Sequence, residues 1–228
     1  MVYCSQSEGG IGKMKKTLYS LLLDDGVVRE IDRLAHRNGM SRSSLVNQIL
    51  AEYAEMTTPE RQIGDIFRAM ENLLRPDTEL VPFFAPNTMT MSLKSALDYK
   101  YRPTVKYAVE LQPHGDDTIG ELAVIFRTQS ASLLEAMDKF FRLWKRTEDR
   151  YLAPRLGREI QCALYENRYV RQLAAPVRNC SVDELAETIS DYVRMFDRLM
   201  KGYLAGRLTA ADVAGQYEAE ISRKMILI

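Results

Sequence analysis

The residues best placed to do chemistry stand near the start of the chain. Ser41, Arg42 and Ser43 follow Gly39-Met40 and open an apolar-periodic run, so they occupy the first turn of a helix. Backbone N–H groups are free there, and hydroxyls beside a guanidinium suit contact with a phosphate. Gly9-Gly10-Ile11-Gly12-Lys13 has the composition of a phosphate loop, but it follows no strand and has Met14 where a magnesium-binding hydroxyl would stand. It reads as flexible leader. His36 and His114 have no second His or Cys at ligand spacing, so both read as surface residues and no metal site is expected. Asp116-Asp117 with Glu121 could pair carboxylates, but they belong to a glycine-flanked turn and read as a solvated loop. No GxSxG or HExxH pattern occurs, so no enzyme, catalytic residue or cofactor is expected.

A richer stretch covers residues 141–172. Arg142, Lys145, Arg146, Arg150, Arg155, Arg158, Arg168 and Arg171 outnumber Glu148, Asp149, Glu159 and Glu166, giving +4, with Trp144, Tyr151, Tyr165 and Tyr169 interleaved. An amphipathic helix pair with a basic solvent face has this pattern. So does a second nucleic-acid surface or an anionic-ligand pocket. Met89, Met91, Met137, Met195 and Met200 fall on apolar faces and are expected in the core.

Whole-chain charge alone would discourage a nucleic-acid reading. The 228 residues hold 31 basic and 31 acidic side chains, and the pI is near 6.8. Neutrality excludes a uniformly basic coat protein and leaves room for a local patch. From Lys13 to Ala51 seven basic residues face four acidic ones, a net +3 per copy. With 46% apolar residues, the length fits one or two globular domains. Cys4, Cys162 and Cys180 form no CxxC pair, which fits a reducing compartment and a cytoplasmic location. No run of about 18 apolar residues exists to span a membrane. Residues 1–14 read as a flexible leader without a signal-peptide core, and Met14-Lys15-Lys16-Thr17 looks like an alternative start.

The elements that position these residues follow from periodicity. Residues 17–23 form a strand candidate, broken at Asp24-Asp25-Gly26. Val27, Val28, Ile31, Leu34 and Ala35 define a helix to Asn38, stopped by Gly39. Leu45, Val46, Ile49, Leu50 and Tyr53 define a second, from Arg42 to about Met56. Thr58-Pro59 starts a third, a connecting helix over 57–75. Pro76, Pro82 and Pro86 mark the best domain boundary. Alternating runs at 89–99, 105–111 and 122–126 predict an antiparallel meander. Helices are expected over 131–150, 158–173, from the capping box Ser181-Val182-Asp183-Glu184, and from Thr209.

Tyr19-Ser20-Leu21-Leu22-Leu23, then Val27-Val28, Ile31-Asp32 and Leu34-Ala35, then Asn38-Gly39-Met40-Ser41-Arg42-Ser43, Leu45-Val46 and Ile49-Leu50 carry one joint spacing. In it residues 16–53, about a sixth of the chain, resemble the ribbon-helix-helix family of dimeric DNA-binding proteins. The resemblance implies that the strand pairs with its twofold copy, as a ribbon entering the major groove above four intertwined helices. Counting back from Ala35, Tyr19, Leu21 and Leu23 turn inward. Lys16, Leu18, Ser20 and Leu22 then face the bases, and Ser41, Arg42 and Ser43 hold phosphate. Two outward leucines depart from the polar readers usual in the family, since leucine touches a thymine methyl but neither donates nor accepts. A ribbon shifted by one residue would expose Thr17, Tyr19 and Leu21, while burying Ser20 and exposing Leu23, which favours the first register. A module kept only for dimerisation is the other alternative. One branch of the family senses nickel or zinc, and the two histidines give no support for that.

The expected fold is therefore α+β: a β-α-α ribbon-helix-helix module over 15–56, forming an intertwined dimer, then an antiparallel three-stranded meander covered by helices over 76–228. The expected function is transcription regulation, as a repressor or activator. The C-terminal domain would sense a small-molecule effector, oligomerise or bind a protein partner. The alternative is an interaction or scaffold protein that uses its N-terminal module only to dimerise. Partners would be double-stranded DNA and a second copy, with no membrane.

Overall fold

A computed structural model describes residues 18–56, 58–84, 89–97, 102–113, 117–224 and 226–228. The leader, Lys16, His114 and Asp116 lie outside the described residues. Residues 18–24 form no strand. A β-strand needs a hydrogen-bonded neighbour, and within one chain this segment has none. Two helices follow, α1 (Asp25–Arg37) and α2 (Arg42–Tyr53). Asp24 caps α1 by accepting from the Gly26 N–H at 2.7 Å. Gly39 then takes φ +64°, which frees the chain to turn into α2. Helix α3 (Pro59–Leu74) has its cap at Thr58 and proline at its first position.

The remainder is α+β. Strands β1 (Val81–Phe84), β2 (Thr90–Ala96), β3 (Thr104–Leu111) and β4 (Thr118–Phe126) precede α4 (Ala131–Tyr151) and the one-turn α5 (Ala153–Leu156). Strands β5 (Cys162–Tyr165) and β6 (Arg168–Ala174) lead to α6 (Val182–Leu204) and α7 (Ala210–Ser222). All strands join one antiparallel sheet in the order β1-β2-β3-β4-β6-β5. The expected meander is its centre, β2-β3-β4, and the sheet is six-stranded rather than three-stranded. The helix expected over 158–173 is instead the β5–β6 hairpin. Its two-residue loop places Asn167 at φ +59°, a conformation asparagine tolerates. At the β4 bulge Gly120 has φ +155°, and a Cβ there would lie 1.9 Å from the Glu110 carbonyl oxygen.

One sheet face builds the core. Met91, Leu93, Val105, Tyr107, Val109, Leu122, Val124, Phe126, Tyr169 and Leu173 alternate inward and are buried. They join Phe140, Phe141 and Trp144 of α4 and Phe196 of α6 in one cluster. Phe141 stacks on Tyr169 with centroids 4.8 Å apart. Ile63, Ile66, Phe67, Met70 and Leu74 bury the inner side of α3 in the same core, so this helix is packed into the body instead of bridging to it. Each such side chain contributes about 1.5–3 kcal/mol by leaving water. No described helix is long and apolar enough to cross a membrane.

A charged pair lies inside this body. Arg171 and Glu148 are both fully buried, with Arg171 Nη2 3.1 Å from Glu148 Oε1. Arg171 also donates to the Ile228 backbone oxygen at 2.6 Å. Tyr192 donates to Glu148 at 2.8 Å and accepts from Trp144 Nε1 at 3.0 Å. Burial pushes the Tyr192 and Tyr217 hydroxyls well above the ordinary phenol range, so both remain donors. Glu148→Ala would strand the buried guanidinium and is expected to cost about 3–5 kcal/mol in urea unfolding. A joint Glu148→Leu/Arg171→Met replacement is expected to recover most of that loss. A single substitution costing nothing would remove the pair's structural role.

Candidate nucleic-acid interface

The N-terminal module is assembled from residues 18–53. Within one chain residues 18–23 form no helix or strand and are all exposed. Leu18 and Leu22, expected outward, are 97% and 103% exposed. Leu21 and Leu23, expected inward, are also exposed, at 53% and 47%. Tyr19, also expected inward, is 83% exposed. Ser20 is exposed beside them.

At the start of α2 the phosphate-contact trio is brought together, but two members have local work. Ser41 caps the helix, accepting from the Ser44 N–H at 3.2 Å and donating to its hydroxyl at 3.0 Å. Arg42 grips Asp32 of α1 through Nε and Nη2, both at 2.5 Å. Ser43 is exposed. The backbone N–H groups of Arg42 and Ser43 have no intrahelical acceptor, which leaves an anion-seeking turn beside the guanidinium. Sequence reasoning missed the Arg42–Asp32 clamp. Its available signal was a carboxylate on α1 near Ala35, the one fully packed residue of that helix.

Charge on the module is partly neutralised. Arg33 pairs with Glu30 at 2.6 Å. Arg29 and Arg37 are exposed and have no ion-pair partner among the described residues. His36 is exposed nearby. The richer basic segment at 141–172 is not one surface, contrary to expectation. Arg142 pairs with Asp138, Lys145 with Asp149 and Glu159, and Arg158 with Asp117. Arg155 donates to the Ile221 carbonyl, and Arg171 is in the core. The segment spans a helix, a turn and a hairpin that point these side chains in different directions. Among the described residues no group of three or more His, Cys, Asp or Glu could hold a metal ion.

Compared with known proteins, the chain matches no family model, no curated protein and no solved structure.

The Arg42 guanidinium, hydrogen-bonded to Asp32, holds that carboxyl below its ordinary range, and Asp32 in turn raises Arg42. For a depressed carboxylate, the contribution to stability is present above its unfolded-state pKa and lost as pH falls through the folded one. Side-chain NMR is expected to show Asp32 titrating below the usual carboxylate range, and Arg42→Ala to return it there. An Asp32 with an ordinary titration in the intact chain would exclude the clamp.

Proposed function

We propose that two copies of residues 15–56 form a ribbon-helix-helix dimer that binds operator-like duplex DNA and so regulates transcription. One observation carries this reading: a capped helix, a glycine turn and a second capped helix follow a segment without helix or strand, and the stretch leaves its apolar surface unburied. Leu18, Tyr19, Leu22, Ile49, Leu50 and Tyr53 are all exposed in the single chain. Two helices of 13 and 12 residues cannot enclose these groups, and an intertwined second copy would. Pairing two 18–23 segments would also supply the missing ladder partner. Lys16, Leu18, Ser20 and Leu22 would then face the groove, and Ser43, Arg42 and the α2 N-terminus would meet phosphate.

The body from residue 58 onward serves as the sensing or oligomerising part. A hollow of about 200 Å³ lies between α3, the β3–β4 turn and the start of α6, lined by Gln62, Ile66, Gln112, Ile119, Cys180 and Leu185. Apolar, amide and hydroxyl groups with Arg178 at the lining suit a small polar effector, and α3 is the first element after the proposed DNA-binding module. A second reading keeps the module for dimerisation alone. Leucines at the outward positions 18 and 22 and the engagement of Arg42 by Asp32 favour it.

Binding of the full chain to random duplexes at low salt, followed by selection of bound sequences, tests both. The expected result is salt-sensitive binding with an enriched, twofold-symmetric site. Arg42→Ala is expected to weaken all duplexes alike and reduce the salt slope by about one. Asp32→Asn, which frees the guanidinium and removes a negative charge, is expected to tighten binding. A chain that dimerises but binds no duplex at low salt overturns the DNA-binding reading in favour of the second.

A further inference from the structure

The hollow between α3, the β3–β4 turn and the start of α6 has a lining that narrows the chemistry of what it can hold. Its floor is apolar, made by the buried side chains of Ile66 on α3, Ile119 on β4 and Leu185 on α6. Its rim is rich in amides, with Gln62, Gln112 and Asn179. Among the described residues no carboxylate lines it, and its one charged side chain is Arg178. The larger groove over α6, of about 590 Å³, differs on this point: carboxylates such as Asp197 and Glu220 line it and hold its Lys201 and Arg198. Arg178 is anchored without being used up. It donates through Nη2 to Glu184 at 2.8 Å and through Nη1 to the Asn179 carbonyl at 3.3 Å. A guanidinium carries several further N–H groups, so Nε–H and one N–H on each terminal nitrogen make no hydrogen bond among the described residues. Glu184 is fixed in turn by the capping box, taking the Ser181 N–H at 2.8 Å. On the strand side the Gln112 N–H bonds the Ile119 carbonyl and the Ala175 N–H bonds the Asp117 carbonyl, both at 2.9 Å. Walls tied in this way need little ordering when a ligand enters.

We propose that this hollow binds a small monocarboxylic acid with an apolar body. The carboxylate takes charge-assisted hydrogen bonds from the free N–H groups of Arg178, and the apolar body lies on Ile66, Ile119 and Leu185. A cationic ligand would meet Arg178 with no carboxylate in the lining to balance it. A phosphate dianion would have one guanidinium, already shared with Glu184, and an apolar floor it cannot use. The volume of about 200 Å³ is below the roughly 300–1,000 Å³ of drug-sized sites, which sets the ligand at the size of a small metabolite. This ligand class rests on the sensing role proposed for the body and names what it would sense. Gln62 stands in the first turn of α3, next to Arg61, which approaches Glu52 of α2 to 3.9 Å. An occupied site would therefore press on the joint between the body and the proposed DNA-binding module.

Titration calorimetry on the full chain without duplex tests this, using 4-methylpentanoate and its neutral counterpart 4-methylpentanamide as probes. The acid is expected to bind one site per chain, at least about tenfold more tightly than the amide, because only the acid makes the charged pair. Arg178→Gln is expected to weaken the acid by at least about tenfold with unchanged circular dichroism. Cys180 also lines the hollow and is half-buried, so its alkylation by iodoacetamide, read by mass on its own peptide, reports occupancy without any substitution. Saturating acid is expected to slow alkylation of Cys180 several-fold and to leave Cys162 unchanged. Equal affinity for acid and amide overturns the proposal, as does a folded Arg178→Gln chain that binds the acid like the parent. So does binding that leaves Cys180 alkylation unchanged, and so does an acid that fails to bind at millimolar concentration. A chain that meets these expectations and binds no duplex loses the regulator reading and keeps the site. A chain that binds duplex and fails them loses the site alone.

Discussion

From Leu18 to Met56 the chain supplies more apolar side chains than its local structure can cover. Only Ala35 and Leu45 are buried in that stretch, at the crossing of α1 and α2. A few turns of helix give too little surface to shelter the rest, and isolated helices of this length are marginal in water. From Pro59 onward the same demand is met internally. The inner side of the sheet closes against α3, α4, α6 and α7 around Phe140, Trp144 and Phe196. One part of the chain is complete by itself, and the other leaves most of its apolar side chains exposed.

Charge follows the same division. Inside the body, ionic groups are held by multiple partners. Glu148 takes Arg171 and Tyr192, and Asp197 takes Tyr107 and Lys201. Such groups fix which elements meet, because misplacing one would leave a buried charge alone. On the module the pairs are exposed and few, and Arg29 and Arg37 stay open to solvent. Exposed ion pairs contribute little to stability, so Arg42–Asp32 is better understood as setting the angle between α1 and α2 than as holding them together. That geometry also decides how far the guanidinium must move to meet an anion.

What could be read from sequence was whatever a local rule dictates. Ser41, Thr58, Ser181 and Thr209 each begin a helix because a hydroxyl caps free N–H groups, and each does so in the structure. Strands β2, β3 and β4 were legible because their side chains alternate. The hairpin at 162–174 was not, because arginines hide its pattern. Arg168 points to solvent and Arg171 into the core, and only the tertiary partner Glu148 tells them apart. The Arg42–Asp32 clamp was hidden for the same reason, since nothing local announces a contact ten residues away. The strand expected at 17–23 is a different case: residues 18–24 form no strand, and the pairing expected for it was with a second molecule, which no local rule can supply.

Very little chain links α1 and α2 to the body. Residues 54–58 separate α2 from α3, and five residues reach at most about 17 Å. Glu52 and Arg61 approach across that joint to 3.9 Å. A second copy engaged through the proposed ribbon would therefore bring the two bodies close together as well, because each is tethered within that reach of its own α2.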